Sequence, residues 1–300
     1  MSILKISRLS FILSVIAFGL LHFALDNYMT SKPAAEYSMT FTLIGFIFRI
    51  LLIVFALGIM VSDRPHVPAT SLGVLLLAWT CIRHVPLLIT NFKDPGEWNS
   101  TGMAIAMAGG AFLVGDSFSR ERSNDQIFFR SMTSPSLAMS YSGRLLFGIP
   151  MCVFGIQHFL YSDFIASLIP SWIPETLFWT YGTGAALIAA GCLIIVRIQI
   201  RWTATLLGTM LLHWLILVHF PKIIARPQDA YEWTSALQAC ALGASAFILS
   251  LKREDGPTFL TMNQFEKTKI NIPFSKMKKG SSTELSPKFP LTARRDIKVQ

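Results

Sequence analysis

The chain has 300 residues, of which 52% are hydrophobic and only 14% charged, and it carries a net charge of +9. Soluble domains hold about 25% charged residues, so this composition, with its mean hydropathy of +0.51, excludes a soluble globular domain. In chain order, apolar runs lie near residues 8–25, 40–61, 69–90, 99–116, 144–161, 174–197, 203–220 and 233–250. Each is long enough to cross a hydrocarbon core of roughly 30 Å. In lipid every backbone polar group must be satisfied within its own segment, which makes each run a helix. The expectation is an all-α integral membrane protein with eight transmembrane helices, its first partner the lipid bilayer.

The first run follows Lys5 and Arg8 and so imitates a signal peptide. The same segment recurs in mid-chain, where no signal peptide can be, so it is read as a true span. An even number of spans puts both termini on one side. If that side is the cytoplasm, the inner segments hold Lys5, Arg8, Arg64, Arg120, Arg122, Arg130, Arg144, Arg197, Arg201 and the basic tail. The outer loops hold only Lys32, Lys93, Lys222 and Arg226. The positive-inside rule then predicts a multi-pass protein of the cell (inner) membrane with cytoplasmic N- and C-termini. The charge is accounted for by topology, and nucleic acid is excluded as its partner.

The four cysteines, Cys81, Cys152, Cys192 and Cys240, are scattered through predicted helices with no CxxC spacing. They are read as free, buried, inert thiols.

The chain repeats itself. Shifted by 136, Arg8, Leu9, Phe11, Phe18, Gly19, His22 and Phe23 fall on Arg144, Leu145, Phe147, Phe154, Gly155, His158 and Phe159. Shifted by 135, Trp79, His84, Pro86, Asp94, Glu97 and Trp98 fall on Trp214, His219, Pro221, Asp229, Glu232 and Trp233. From Ala69/Ala204 to Gly115/Ser250, 18 of 47 pairs are identical, where chance gives roughly one in ten. The expected organisation is a first four-helix repeat at 1–117, a cytoplasmic linker at 118–143, a second repeat at 144–251 and a basic disordered tail at 252–300. An even number of helices per copy gives both copies the same topology, related by an axis near the membrane normal.

The second copy carries a longer pattern. Residues 155–174 read GlyIleGlnHisPheLeuTyrSerAspPheIleAlaSerLeuIleProSerTrpIlePro, and 178–191 continue as PheTrpThrTyrGlyThrGlyAlaAlaLeuIleAlaAlaGly. This run resembles the DoxX family of small four-helix membrane proteins. The first copy keeps GLLHF but departs after Leu25, and its loop lacks the IPxWIP element. The resemblance implies two tandem four-helix DoxX-like bundles. Family members include membrane subunits linked to thiosulfate and quinol oxidation, and distant relatives include assembly factors and a quinone-dependent carboxylase domain. It therefore implies a membrane subunit of a quinone-linked redox process, with quinone as ligand and a membrane or redox protein as partner. The alternative is a non-enzymatic membrane scaffold or assembly factor; whether the chain is an enzyme stays open.

The repeated polar residues share a depth. His22 and His84 in the first copy, and His158 and His219 in the second, lie near the outer ends of their spans. Glu97 and Glu232 open the spans that begin there, each followed by a Trp. Three readings stand beside one another. These are boundary residues, bonded to backbone or to neighbouring helices. They form a quinone-headgroup or proton-relay site, for which His with Glu is suited. They ligate haem or a metal, which ranks below the others because no HxxxH or CxxCH spacing occurs. Arg49, deep in the second span, is a buried charge and a functional candidate by default. The small residues from Gly182 to Gly191 predict close helix packing. A transporter reading is weaker, because no pair of spans is visibly broken at corresponding positions; Pro86, Pro150 and Pro221 are the candidate kinks.

Overall fold

The computed structural model describes residues 1–24, 39–123 and 135–252. The first-copy loop with Lys32, the centre of the linker with Arg130, and the basic tail beyond Lys252 lie outside the described residues. Among the described residues there are eight long helices: α1 Ile3–Ala24, α2 Met39–Val61, α3 His66–Thr90, α4 Pro95–Ser123, α5 Pro135–Leu160, α6 Thr176–Val196, α7 Ile200–Ala225 and α8 Ala230–Ser250. A further short helix, Ser162–Leu168, follows α5. Each long helix contains a stretch apolar enough to cross a membrane, and there is no strand among the described residues. The protein is an all-α multi-pass membrane protein.

Helices outrun the apolar windows that announced them. α4 continues to Ser123 and α5 starts at Pro135, so helix covers both ends of the expected linker. Hydropathy marks the lipid-facing stretch only, whereas backbone hydrogen bonding carries a helix on into polar turns. Helix starts are set by local chemistry. Pro95 and Pro135 are first residues of α4 and α5, where a missing N–H costs no hydrogen bond. Asp229 caps α8, its Oδ1 accepting from the backbone N–H of Tyr231 at 3.1 Å and of Glu232 at 3.4 Å.

α3 and α7 are not broken, but each widens into one π-helical turn, at Thr80–His84 and Leu215–His219. Both turns run into a proline, Pro86 and Pro221. Proline has no N–H, and its ring collides with the carbonyl one turn earlier. A wider turn accommodates that ring.

Consecutive helices alternate in direction and pack in chain order, with α8 closing back onto α1. α4 and α8 also meet each other across the middle, so two five-helix rings share this central pair. The four-helix halves expected from the sequence therefore interlock: α1 packs on α8 and α5 packs on α4. Composition explains the central pair. α4 runs through Ala104, Ala106, Ala108, Gly109, Gly110 and Ala111, and α8 through Ala241, Gly243, Ala244, Ser245 and Ala246. Small residues let helices approach closely. A Cβ on Gly109 would lie 2.7 Å from the Phe147 backbone nitrogen of α5. Accordingly 78% of the apolar stretch of α4 and 56% of that of α8 are enclosed, against 22–44% elsewhere. The core around them includes Phe11, Leu52, Leu72, Phe147, Met151 and Leu242. The outer faces are apolar too: Phe46, Ile50, Val54 and Leu57 of α2 are exposed, as lipid contact requires.

The end where α1 begins, the near end, holds buried charge. Arg8 bonds Glu121 at 2.6 Å and the Ser117 hydroxyl at 2.9 Å, and its guanidinium lies 3.8 Å from the Phe118 ring centroid. Asp116 is fully buried, 3.8 Å from the Lys252 ammonium, which also donates to Ser140. Arg144 is buried as well. Sequence topology placed Arg8 and Arg144 among the cytoplasmic basic residues; the fold encloses them between helix ends, where Arg8 ties α1 to α4.

Candidate functional site

At the opposite, far end of the second half lies a cavity of about 240 Å³. α4, α5, α6, α7, α8 and the short helix line it, and it is partly open. Its walls are largely apolar: Met103, Phe154, Ile165, Leu187, Met210 and Trp214. Three residues singled out from the sequence reach it, namely His158, His219 and Glu232. Lys222, Tyr231, Ser235, Thr180, Thr183 and Asn99 add polar groups to the same walls.

Local structure sets each side chain. The π turn of α7 ends at His219, and Lys222 follows one turn later on the same face. Such turns concentrate at functional sites. The Asp229 cap fixes the first turn of α8, which places Glu232 opposite α7. Glu232 Oε2 accepts from His219 Nδ1 at 3.1 Å, and its Oε1 lies 3.4 Å from Lys222 Nζ. The Glu232 side chain is 6% exposed, those of His219 and Lys222 22% each. One carboxylate thus orients an imidazole and neutralises an ammonium. A carboxylate on Nδ1 fixes the tautomer and leaves His219 Nε2 as a base.

His158 is oriented differently. Its Nδ1 lies 2.8 Å from the Phe154 carbonyl. A carbonyl only accepts, so Nδ1 carries the hydrogen and Nε2 of the neutral ring keeps a lone pair. The cavity therefore offers two proton-accepting nitrogens, one ammonium and several hydroxyls on an otherwise apolar surface. It can hold a ligand that is mostly apolar but carries oxygen acceptors, and exchange protons with it.

The first-half candidates stand apart from this cavity. His22 repeats the His158 arrangement, with Nδ1 2.8 Å from the Phe18 carbonyl. His84 and Glu97 are half-buried, and no hydrogen bond joins them. Leu87 occupies the position that Lys222 holds in the second half. Arg49 is half-buried, its guanidinium 5.9 Å from the Phe23 ring centroid at the far end of α1. Trp98 and Trp233 both donate to the turn before their helix, to the Phe92 and Pro227 carbonyls at 2.8 Å. Among the described residues no three His, Cys, Asp or Glu side chains assemble as a metal site.

Sequence reading passed over Lys222, assigning it to an outer loop. Its spacing of three from His219 was the available signal. The cysteines, expected to be buried, are not: Cys81 and Cys192 are exposed and Cys152 and Cys240 half-buried. Cys152 and Cys192, read as scattered, meet between α5 and α6 with sulfurs 3.7 Å apart.

Comparison with known proteins returns no match: no family model, no curated protein and no solved structure matches the chain.

Proposed function

We propose that this protein is a DoxX-like membrane subunit, duplicated in tandem, that binds a quinone in the far-end cavity of its second half and exchanges protons with it. The observation that carries this reading is that the His219–Glu232–Lys222 cluster and His158 line one cavity with apolar walls. A quinone takes up two electrons and two protons on reduction. Lys222 N–H donates a hydrogen bond to a carbonyl oxygen. On oxidation of the quinol its two O–H protons pass to the neutral imidazoles of His158 and His219, and on reduction of the quinone the two imidazolium groups return them. The electrons are exchanged with a redox protein partner. Local likeness supports the duplication: the π turns, the His22 and His158 hydrogen bonds and the two tryptophan bonds recur at the sequence offsets. The basic residues of the near end favour a cytoplasmic near end, which opens the cavity toward the outer face.

The test is a binding titration on detergent-purified protein. Trp179 and Trp214 line the cavity, and a bound quinone quenches their emission. A short-chain benzoquinone should quench saturably, and His158→Ala with His219→Ala should abolish this while the thermal unfolding curve stays cooperative. Normal affinity in that folded double variant sinks the quinone site. Absence of saturable quenching in the unaltered protein supports the scaffold reading instead, under which a partner co-purifies and is lost on tail deletion.

A further inference from the structure

The two halves differ inside their helix rings at one telling position. At an offset of 135, the buried residues Gly45, Leu52 and Ile59 of α2 fall on Thr180, Leu187 and Ile194 of α6, which are buried too. The same register carries Phe48 onto Thr183, and in α3 and α7 it carries Trp79 onto Trp214. In the first half, Phe48 is 8% exposed and stacks on Trp79, with ring centroids 4.4 Å apart and planes 14° from parallel. A phenyl ring thus fills the space between α2 and α3.

Thr183 is too short to repeat that contact, and Thr183 and Trp214 both face the cavity. Among the described residues the indole of Trp214 has no parallel ring beside it; it meets that of Trp179 in a T-shaped contact, at 6.4 Å and 83°. The first half therefore displays what the second half leaves open. It is the place of one six-membered ring, lying parallel to an indole at a distance that favours offset stacking.

We infer that the cavity is a berth for a single planar ring stacked on Trp214, and that Thr183 is the residue that opens it. This rests on the quinone reading and narrows the ligand to a one-ring quinone, a benzoquinone. The ring takes the place that Phe48 occupies in the other half. Its carbonyl oxygens meet the polar groups of His158, His219 and Lys222. The first half has neither the space, filled by Phe48, nor the cation, replaced by Leu87. Among the described residues there is accordingly one such site, not two.

The experiment compares two probes, a short-chain benzoquinone and a naphthoquinone with the same tail, on the full-length protein in detergent. Saturable tryptophan quenching by benzoquinone is expected, with naphthoquinone at least about tenfold weaker. Thr183→Phe should remove the quenching and Thr183→Ser should keep it, with both unfolding cooperatively. Thr183→Leu fills the same space and serves if the phenylalanine variant does not fold. Unchanged benzoquinone affinity in a folded Thr183→Phe or Thr183→Leu protein overturns the berth and leaves the quinone site standing. Equal affinity for the two probes overturns the one-ring assignment. If the unaltered protein binds neither probe saturably, the quinone reading falls and the berth falls with it.

Discussion

Glu232 accepts from His219 and faces Lys222 at the same time, while its own side chain is 6% exposed. Replacing its carboxylate by an amide keeps the shape and removes the charge. In Glu232→Gln the Lys222 ammonium, 22% exposed, loses its counter-charge, and of the two positions facing His219 and Lys222 only one keeps an accepting oxygen while the other becomes an N–H donor. Leaving such groups unpaired costs about 1–3 kcal/mol, so thermal unfolding in detergent should shift down by several degrees. Lys222→Leu alone strands the Glu232 carboxylate, the more buried partner, and should also melt lower; Lys222→Leu combined with Glu232→Gln removes both charges, so its shift should be much smaller. Equal melting of Glu232→Gln and the unaltered protein would mean that this pairing contributes nothing. Residues of this cluster were unequally legible in the sequence. His219 and Glu232 stood out because they recur against an apolar background. Lys222 did not, because the apolar run ended near residue 220 while the helix continues to Ala225. Thr183 and Phe48 carry no chemical mark at all. Their meaning lies in what each ring or hydroxyl packs against, which composition does not encode.

At the scale of elements, α5 and α6 show how close contact follows from residue size. A Cβ on Gly155 would come within 2.6 Å of the Gly184 carbonyl, and one on Gly191 within 2.7 Å of the Gly148 carbonyl. Backbone meets backbone along this seam, as the small-residue run from Gly182 to Gly191 suggested. The seam also brings together Cys152 and Cys192, 3.7 Å apart, which linear spacing gave no reason to pair. A disulfide needs the sulfurs at about 2.05 Å, a short move for two side chains on adjacent helices. Oxidation of the full-length protein with copper–phenanthroline should therefore remove two alkylatable thiols without forming dimers. Cys192→Ser should keep its other thiols under the same treatment. Persistence of all four thiols would place the two helices in a different register. The π turns of α3 and α7 were half legible in the same way. Pro86 and Pro221 announced irregularity, but nothing in hydropathy distinguishes a widened turn from a kink.

At the scale of the whole molecule, lipid as solvent explains both what hydropathy revealed and what it concealed. Eight spans were legible because hydrocarbon admits only long apolar helices here. The order of packing was not, because inner and outer faces are equally apolar and the alternation that marks a soluble core is missing. Only the Gly- and Ala-rich stretches of α4 and α8 hinted at the centre. Packing then decides how the halves depend on each other. α1 lacks its main neighbour without α8, and α4 lacks α5. Cut at the linker, the first half would present Gly109, which packs on Phe147 of α5, and Gly110, which packs on Ser245 of α8, both buried in the intact chain, to lipid. Small residues cover lipid poorly, and the resulting loss of packing favours association with whatever offers a matching face. Residues 1–123 produced alone should therefore be degraded or recovered only as an oligomer. Produced together with residues 135–300, they should co-purify as one complex of each half and melt cooperatively. A first half that is monomeric, folded and stable by itself would mean that the contacts across α1–α8 and α4–α5 are dispensable. In that case the two halves would be independent bundles joined by a tether, and a cavity walled by α4 of one half and α5 to α8 of the other would have no reason to persist.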